Sequence, residues 1–229
     1  MQYKNLTIIA TSHISKQSVN EVKRVISEKK PAVVAIELDR NRYAGLVSGE
    51  ESRITFSDIR HIGLKGYIFA LIGAYVEKKL GNIVNVKPGA DMLSAAQAAQ
   101  ENNARVALID QDIAITLQKF SKRFTWREKW NFFVDFVYSF LFRKKAMKRF
   151  GISNLDLSKV PEKEVIRKMI GYVQMRYPNL YFVLIQERNY IMAARLHKIM
   201  EMYPENEIVA VVGAGHEEEI VELLKSKDI

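Results

Sequence analysis

The 229-residue sequence predicts an α/β fold, a mainly parallel core sheet of about five or more strands flanked by helices, with a long helical insertion. Short β-branched apolar runs recur without polar alternation, the pattern of strands buried on both faces. Helical patterns separate most of them, as the return path between parallel strands requires. Their ends collect acidic residues and two histidines, and in open α/β sheets the carboxyl edge is where ligands bind.

Taken in order, Asn5–Ala10 is the first strand, followed by Thr11-Ser12-His13. A helix runs from Ser18 to Lys29, with Ser18 and Glu21 spaced as a capping box and Val19, Val22, Val25 and Ile26 on one face. Pro31 stops it, and Ala32–Ile36 forms a second buried strand ending in Glu37-Leu38-Asp39. The short return predicts that these two strands are parallel neighbours. From Arg40 to Gly81 the pattern is helical, Asn82–Val86 is a third strand, and Met92–Glu101 is an alanine-rich helix. Arg105–Ile109 makes a fourth strand, terminating at Asp110-Gln111-Asp112. The helical insertion then spans about residues 113–202, broken near Gly151–Pro161 and at Tyr177-Pro178. Glu207–Val212 is the last strand; Gly213 and Gly215 allow a sharp turn that delivers His216 to the start of a terminal helix. Residues 1–229 read as one domain containing this insertion.

The absence of cysteine excludes disulfides and thiolate ligands, so a metal site would need imidazoles and carboxylates. No signal peptide and no apolar stretch of about 20 residues is visible, which predicts a soluble chain, cytoplasmic or peripheral to a membrane. The net charge is +9, and residues 114–152 alone carry ten basic side chains against Glu128 and Asp135. Within that segment Trp126, Trp130, Phe132, Phe133, Phe136 and Tyr138 form an aromatic helix. The reading preferred for it is an amphipathic helix packing its aromatics into the domain or into a homodimer partner. Contact with an anionic membrane surface through 126–149, or a cap over the site, is the alternative. Nucleic-acid binding is not expected, because no reader motif accompanies the charge.

The carboxyl edge of the sheet gathers His13, Glu37, Asp39, Asp91, Asp110, Asp112 and His216. Two imidazoles with a carboxylate form an N,O site for Zn, Mn, Co or Fe. A remaining carboxylate would serve as general base. Gly213–Gly215 offer backbone N–H donors for an oxyanion. Each residue also has a plainer role: Asp39, Asp91 and Asp112 as helix N-caps, Asp110 in a loop turn, Glu37 paired with Arg42 or Arg188. Arg188 reads as a carboxylate or oxyanion clamp, or as part of a solvated helix face. His61 and His197 read as structural.

Six motifs, in order through the whole chain, resemble the TraB family, which includes the pheromone-shutdown protein PrgY and is related to the Tiki proteases and GumN proteins. They are Thr11-Ser12-His13, Glu37-Leu38-Asp39-Arg40-Asn41-Arg42, Gly89-Ala90-Asp91-Met92, Leu108-Ile109-Asp110-Gln111-Asp112-Ile113 with Thr116-Leu117, Glu187-Arg188-Asn189 and Val212-Gly213-Ala214-Gly215-His216. The resemblance implies a core like that of the erythromycin-esterase and haem-binding ChaN group, with paired Gly-x-x-His signatures and a glutamate at the site. It implies a metal-dependent peptidase using Mn or Co, with His13, Glu37 and His216 as metal or catalytic positions and Asp91 and Arg188 near them. With the sheet-edge reading, the metal candidates are His13, Glu37 and His216 and the catalytic ones Glu37, Asp91, Asp110 and Arg188. The chain has Ala10 where the first signature has glycine, Asp91 where glutamate is common and Asn189 where aspartate is common. The expected function is cleavage of a peptide by metal-activated water. Capture of a peptide without turnover is the alternative, and haem or iron binding a third.

Overall fold

The structure, a computed structural model, describes residues 1–12, 16–49, 89–142 and 163–226, with residues 60, 62–64, 67, 68, 70, 71, 74 and 87. Its elements are β1 Gln2–Tyr3, β2 Leu6–Thr11, α1 Lys16–Lys29, β3 Val33–Ile36, α2 Arg40–Ser48, α3 Ala90–Glu101, β4 Arg105–Leu108, α4 Ile113–Arg123, α5 Trp126–Leu141 and α6 Lys163–Arg176. Then come α7 Pro178–Tyr181, a π-helical turn Phe182–Gln186, α8 Glu187–Met202, β5 Ile208–Gly213 and α9 Glu217–Ser226. His13, His61 and the expected strand Asn82–Val86 lie outside the described residues.

The five strands lie in the order β1-β2-β5-β3-β4, with only β1 antiparallel to its neighbour. The expectation that β2 and β3 are neighbours is corrected: β5 sits between them, pairing Ile9 with Val211 on one side and Ile36 with Val211 on the other. All six residues of β5 are buried, and this long apolar strand takes the centre, where both faces and both edges are covered. Side chains alternate across the sheet. Leu6, Ile8, Ala210 and Val212 pack under α8 and α9 through Met192, Leu196 and Ile220. Ile9, Val34, Val209 and Val211 pack on the opposite face against Val22 and Ile26 of α1 and the alanines of α3.

Local chemistry explains most helix ends, with two corrections. The proposed capping box at Ser18 is absent: α1 already begins at Lys16, and the Ser18 hydroxyl accepts the N–H of Ser12 at 3.0 Å, tying the helix to the loop after β2. Asp39 and Asp112 do cap α2 and α4, but Asp91 does not cap α3, because Gly89 at φ 78° occupies that position. A capping box occurs instead at Thr125 and Glu128, so the insertion breaks at a point where only helix was expected. Glu128 is 1% exposed and also accepts the N–H of Asn179 at 2.7 Å, so one carboxylate caps two helices.

Asp135 joins α5 to α6 and α7. It accepts from Arg176 at 2.8 and 3.0 Å, from Tyr172 at 2.9 Å and from Tyr177 at 2.7 Å. Burial pushes its carboxyl up, but the Arg176, Tyr177 and Tyr172 donors outweigh that and hold it below the usual carboxylate range. Burial likewise pushes the Glu128 carboxyl up, but the Thr125 and Asn179 donors outweigh that and hold it below the usual carboxylate range. A depressed folded pKa contributes stability that is complete above the unfolded value, about pH 4, and is lost as the pH falls through the folded one. The urea midpoint is therefore expected to fall steeply below about pH 4. Asp135→Asn should destabilise at pH 7 and differ far less from wild type at pH 3. An equal difference at both pH values would refute the linkage.

Candidate functional site

The parallel strands β2, β5, β3 and β4 all end on one edge, and backbone hydrogen bonds continue the ladder past the strands. Glu37 N–H donates to the Val211 carbonyl at 3.1 Å, and Ile109 N–H donates to the Ile36 carbonyl at 3.1 Å. This extension fixes Glu37 beside the end of β5 and Asp110 beside Glu37. Glu37 Oε2 accepts the N–H of Gly213 at 2.6 Å, so its carboxylate is anchored on the central strand and Oε1 is turned outward from that anchor.

Arg188 enters from the opposite side. It stands two residues after the π-helical turn, in which the N–H of Glu187 reaches back five residues to the Phe182 carbonyl. Arg188 Nη1 donates to the Leu184 carbonyl at 3.0 Å, tying the guanidinium to that widened turn. Its Nε and Nη2 grip Asp110 in a bidentate pair, at 2.9 Å to Oδ1 and 2.7 Å to Oδ2, and Nη2 also bonds Glu37 Oε1. Such a fork matches a carboxylate in a way an ammonium does not. Burial disfavours the charged guanidinium, but the carboxylates of Glu37 and Asp110 more than restore it, so Arg188 is held firmly cationic.

The charge chain extends through Arg42, whose Nη2 bonds Asp110 Oδ2 and whose Nε donates to Asp39 Oδ2 at 2.8 Å. Burial acts upward on Asp39, but the N–H and guanidinium of Arg42 and the N–H of Asn41 outweigh it and keep its carboxyl low. Arg195 donates to the backbone carbonyl of Asp110, and Gln111 N–H donates to Asp110 Oδ1 at 2.7 Å. Asp39, Arg42, Asp110, Arg188 and Glu37 thus alternate in sign along the edge.

His216 closes the chain. Its Nε2 lies 3.3 Å from Glu37 Oε1 and 3.4 Å from Arg188 Nη1. Its Nδ1 lies 2.5 Å from Asn189 Oδ1, and Asn189 Nδ2 donates to Glu219 Oε2 at 2.7 Å. The amide therefore has its oxygen toward the ring, which places a proton on Nδ1 and leaves Nε2 as the nitrogen that faces Glu37 and Arg188. Asn189 is fully buried and Tyr181 bonds Glu219 at 3.2 Å, so the ring orientation is held from behind. Asn189→Leu is expected to free the ring. The Nδ1 chemical shift of His216 should then move from its wild-type value, because that nitrogen loses its Asn189 partner. Identical shifts would dismiss the anchor.

Of the residues expected at the site, Glu37, Asp110, Arg188 and His216 come together. Glu37 takes Arg188, one of the two partners foreseen, while Arg42 serves Asp39 and Asp110. Arg188 is a clamp and not a solvated residue, with 15% of its side chain exposed. Asp91 is buried in the first turn of α3, and Asp110 and Glu37, not Asp91, are the carboxylates that Arg188 bonds among the described residues. The oxyanion role foreseen for Gly213–Gly215 is corrected in part, because the N–H of Gly213 is taken by Glu37 and that of Ala214 by the Thr11 carbonyl. His197 is half-buried on α8, 3.9 Å from Glu201 and away from this cluster. Among the described residues no three His, Asp or Glu side chains form a ready ion-binding group. The expected third ligand, His13, lies outside them. The sequence gives no sign of Asn189 as the ring anchor, and it offers Arg42 as a partner for Glu37 where the structure makes it the link between Asp39 and Asp110.

The fold and this edge define an α/β protein whose last core strand presents a histidine to an arginine-clamped pair of carboxylates. A family model described as TraB/PrgY/gumN matches residues 2–229, and the chain belongs to that family. It is 35% identical over 223 residues to an uncharacterized protein of Methanocaldococcus jannaschii, covering 96% of this chain and 53% of that protein. It is 22% identical over 233 residues to the TraB domain-containing proteins of Homo sapiens and Mus musculus, covering 91% of this chain and 60% of each of those proteins. The chain thus spans little more than half the length of the curated relatives it matches.

Proposed function

We propose that this chain is a metal-dependent hydrolase that cleaves a peptide. The observation that supports this most directly is the approach of His216 Nε2 to Glu37 Oε1 at 3.3 Å, with the other ring nitrogen held by buried Asn189. An oriented imidazole beside an anchored carboxylate is the donor chemistry of an N,O-ligated divalent ion. Those ligand types would suit Mn or Co, with Zn and Fe as alternatives; His216 and Glu37 would hold the ion, and His13, outside the described residues, is the proposed third ligand. Such an ion supplies Lewis acidity toward a peptide carbonyl.

The chain's own residues supply the rest. Glu37, anchored through Oε2, presents Oε1 beside His216, and accepts a proton there as the bond from Arg188 Nη2 to that oxygen yields. Arg188 places a fixed positive charge where a peptide carbonyl gains negative charge, a role the Gly213 and Ala214 N–H groups cannot fill. Asp110 positions Arg188, and Asn189 positions His216. Mass spectrometry of a peptide library after incubation with Mn or Co tests the reading: new termini that disappear in His216→Ala support it, and unchanged peptides contradict it.

One observation favours a second reading, capture of a peptide without turnover. The Arg188 guanidinium bonds the same Glu37 oxygen that faces His216, so a cation already stands beside the place of the proposed ion. Under that reading the peptide is recovered intact, and its binding survives loss of His216.

A further inference from the structure

We infer that α5 is a surface-seeking helix that lays an aromatic stripe on an anionic lipid bilayer, a property separate from the chemistry proposed for the sheet edge. Trp126, Trp130, Phe133, Val134, Val137 and Leu141 recur at the three- and four-residue spacing of one helical face, and all are exposed, Trp126 at 82% and Trp130 at 66%. The opposite face carries Glu128, Asn131 and Asp135, which bolt the helix to the molecule through Asn179, the Arg176 carbonyl and the Arg176 guanidinium. The usual arrangement is thus inverted. The helix is attached by its polar residues and shows its apolar ones.

This corrects the expectation that the aromatics pack into the domain, and the charges say what covers them. Glu128 and Asp135 are the two acidic residues among 39 positions, 114–152, that hold ten basic ones, and both are spent inward. On the helix, Arg127 and Lys129 flank the stripe on its two sides, with Lys129 Nζ 4.1 Å from the Trp126 ring centre. Lys122 and Arg123 stand in the last turn of α4 just before it. Apolar rings flanked by cations match the acyl boundary and anionic headgroups of a bilayer. A second copy of the chain would set this positive surface against its own like charge. The helix has 16 residues, and among the described residues no helix is long and apolar enough to cross a membrane, so the contact lies along the surface.

Trp126 and Trp130 are the chain's two tryptophans, so selectively excited tryptophan emission reads this helix alone. Vesicles of equal parts phosphatidylcholine and phosphatidylglycerol are expected to shift the emission to shorter wavelength and to sediment the protein. Pure phosphatidylcholine vesicles should do neither. Arg127→Glu with Lys129→Glu should lower the partition coefficient by about tenfold or more, and raising salt from about 0.1 to 0.5 M should weaken binding comparably. Both substitutions are on exposed or half-exposed positions, and unchanged far-UV circular dichroism confirms that the variant folds. Equal binding to both vesicle types, or no emission shift with either, overturns the inference. A shift that grows with protein concentration in the absence of lipid also overturns it, in favour of self-association.

Discussion

Replacing Arg188 with methionine is expected to lower the unfolding free energy by about 3–5 kcal/mol, the cost of breaking a buried ion-pair cluster by removing its central cation. Two carboxylates depend on this guanidinium, Glu37 at 4% exposure and Asp110 at 2%. Methionine fills much of the same volume, so the loss reports charge more than packing. For a chain of this length the thermal midpoint should drop on the order of 10 °C. Arg188→Lys should recover only part, since one ammonium cannot form the two parallel bonds to Asp110. Adding Glu37→Gln to the methionine variant should restore part of the stability, because Glu37 loses its guanidinium while Asp110 keeps Arg42. Urea titrations of the three variants check the set, and a loss under about 1 kcal/mol for methionine would mean that water already solvates the cluster.

Peptide cleavage by His216→Ala is expected to fall by about 10²- to 10⁴-fold, the range for removing a positioned acid, base or ligand. KM should change little, since the ring acts on the reacting centre more than on the body of a peptide. Bound Mn or Co, measured by elemental analysis after gel filtration, should fall in parallel. The alanine variant leaves the Asn189 carbonyl oxygen without the ring, so a folding control is needed, and Asn189→Leu with His216→Ala provides it. Retained metal with lost cleavage would assign His216 to proton transfer alone. Retained cleavage would end its part in the reaction.

The parts of this molecule legible from sequence are those that depend on neighbours in the chain. Uninterrupted apolar runs gave the positions of β2, β3, β4 and β5 to within a residue or two, and Glu37 stood out because a carboxylate directly after Val33–Ile36 must find a partner. The order of the strands was not legible, since nothing local in Val33–Ile36 says whether β2 or β5 lies beside it. The aromatic periodicity of α5 showed that the helix has an apolar face without showing which way it points. That direction is decided by Glu128 and Asp135, whose partners lie about 40 or 50 residues away. The π-helical turn that precedes Arg188 has no compositional mark, and the role of Asn189 rests on a distance to His216 that only folding creates.

The central place of β5 has a consequence for synthesis. Leu6 waits for Ile208, about 200 residues later, and until that segment leaves the ribosome β2 and β3 each present a bare edge on the side that β5 will occupy. A nascent chain released before that point carries two half-sheets with nothing to join them, a state prone to aggregate and suited to holding by chaperones. The strand that brings in His216 is also the one that closes the sheet, so the candidate site cannot assemble in any chain that stops short of it.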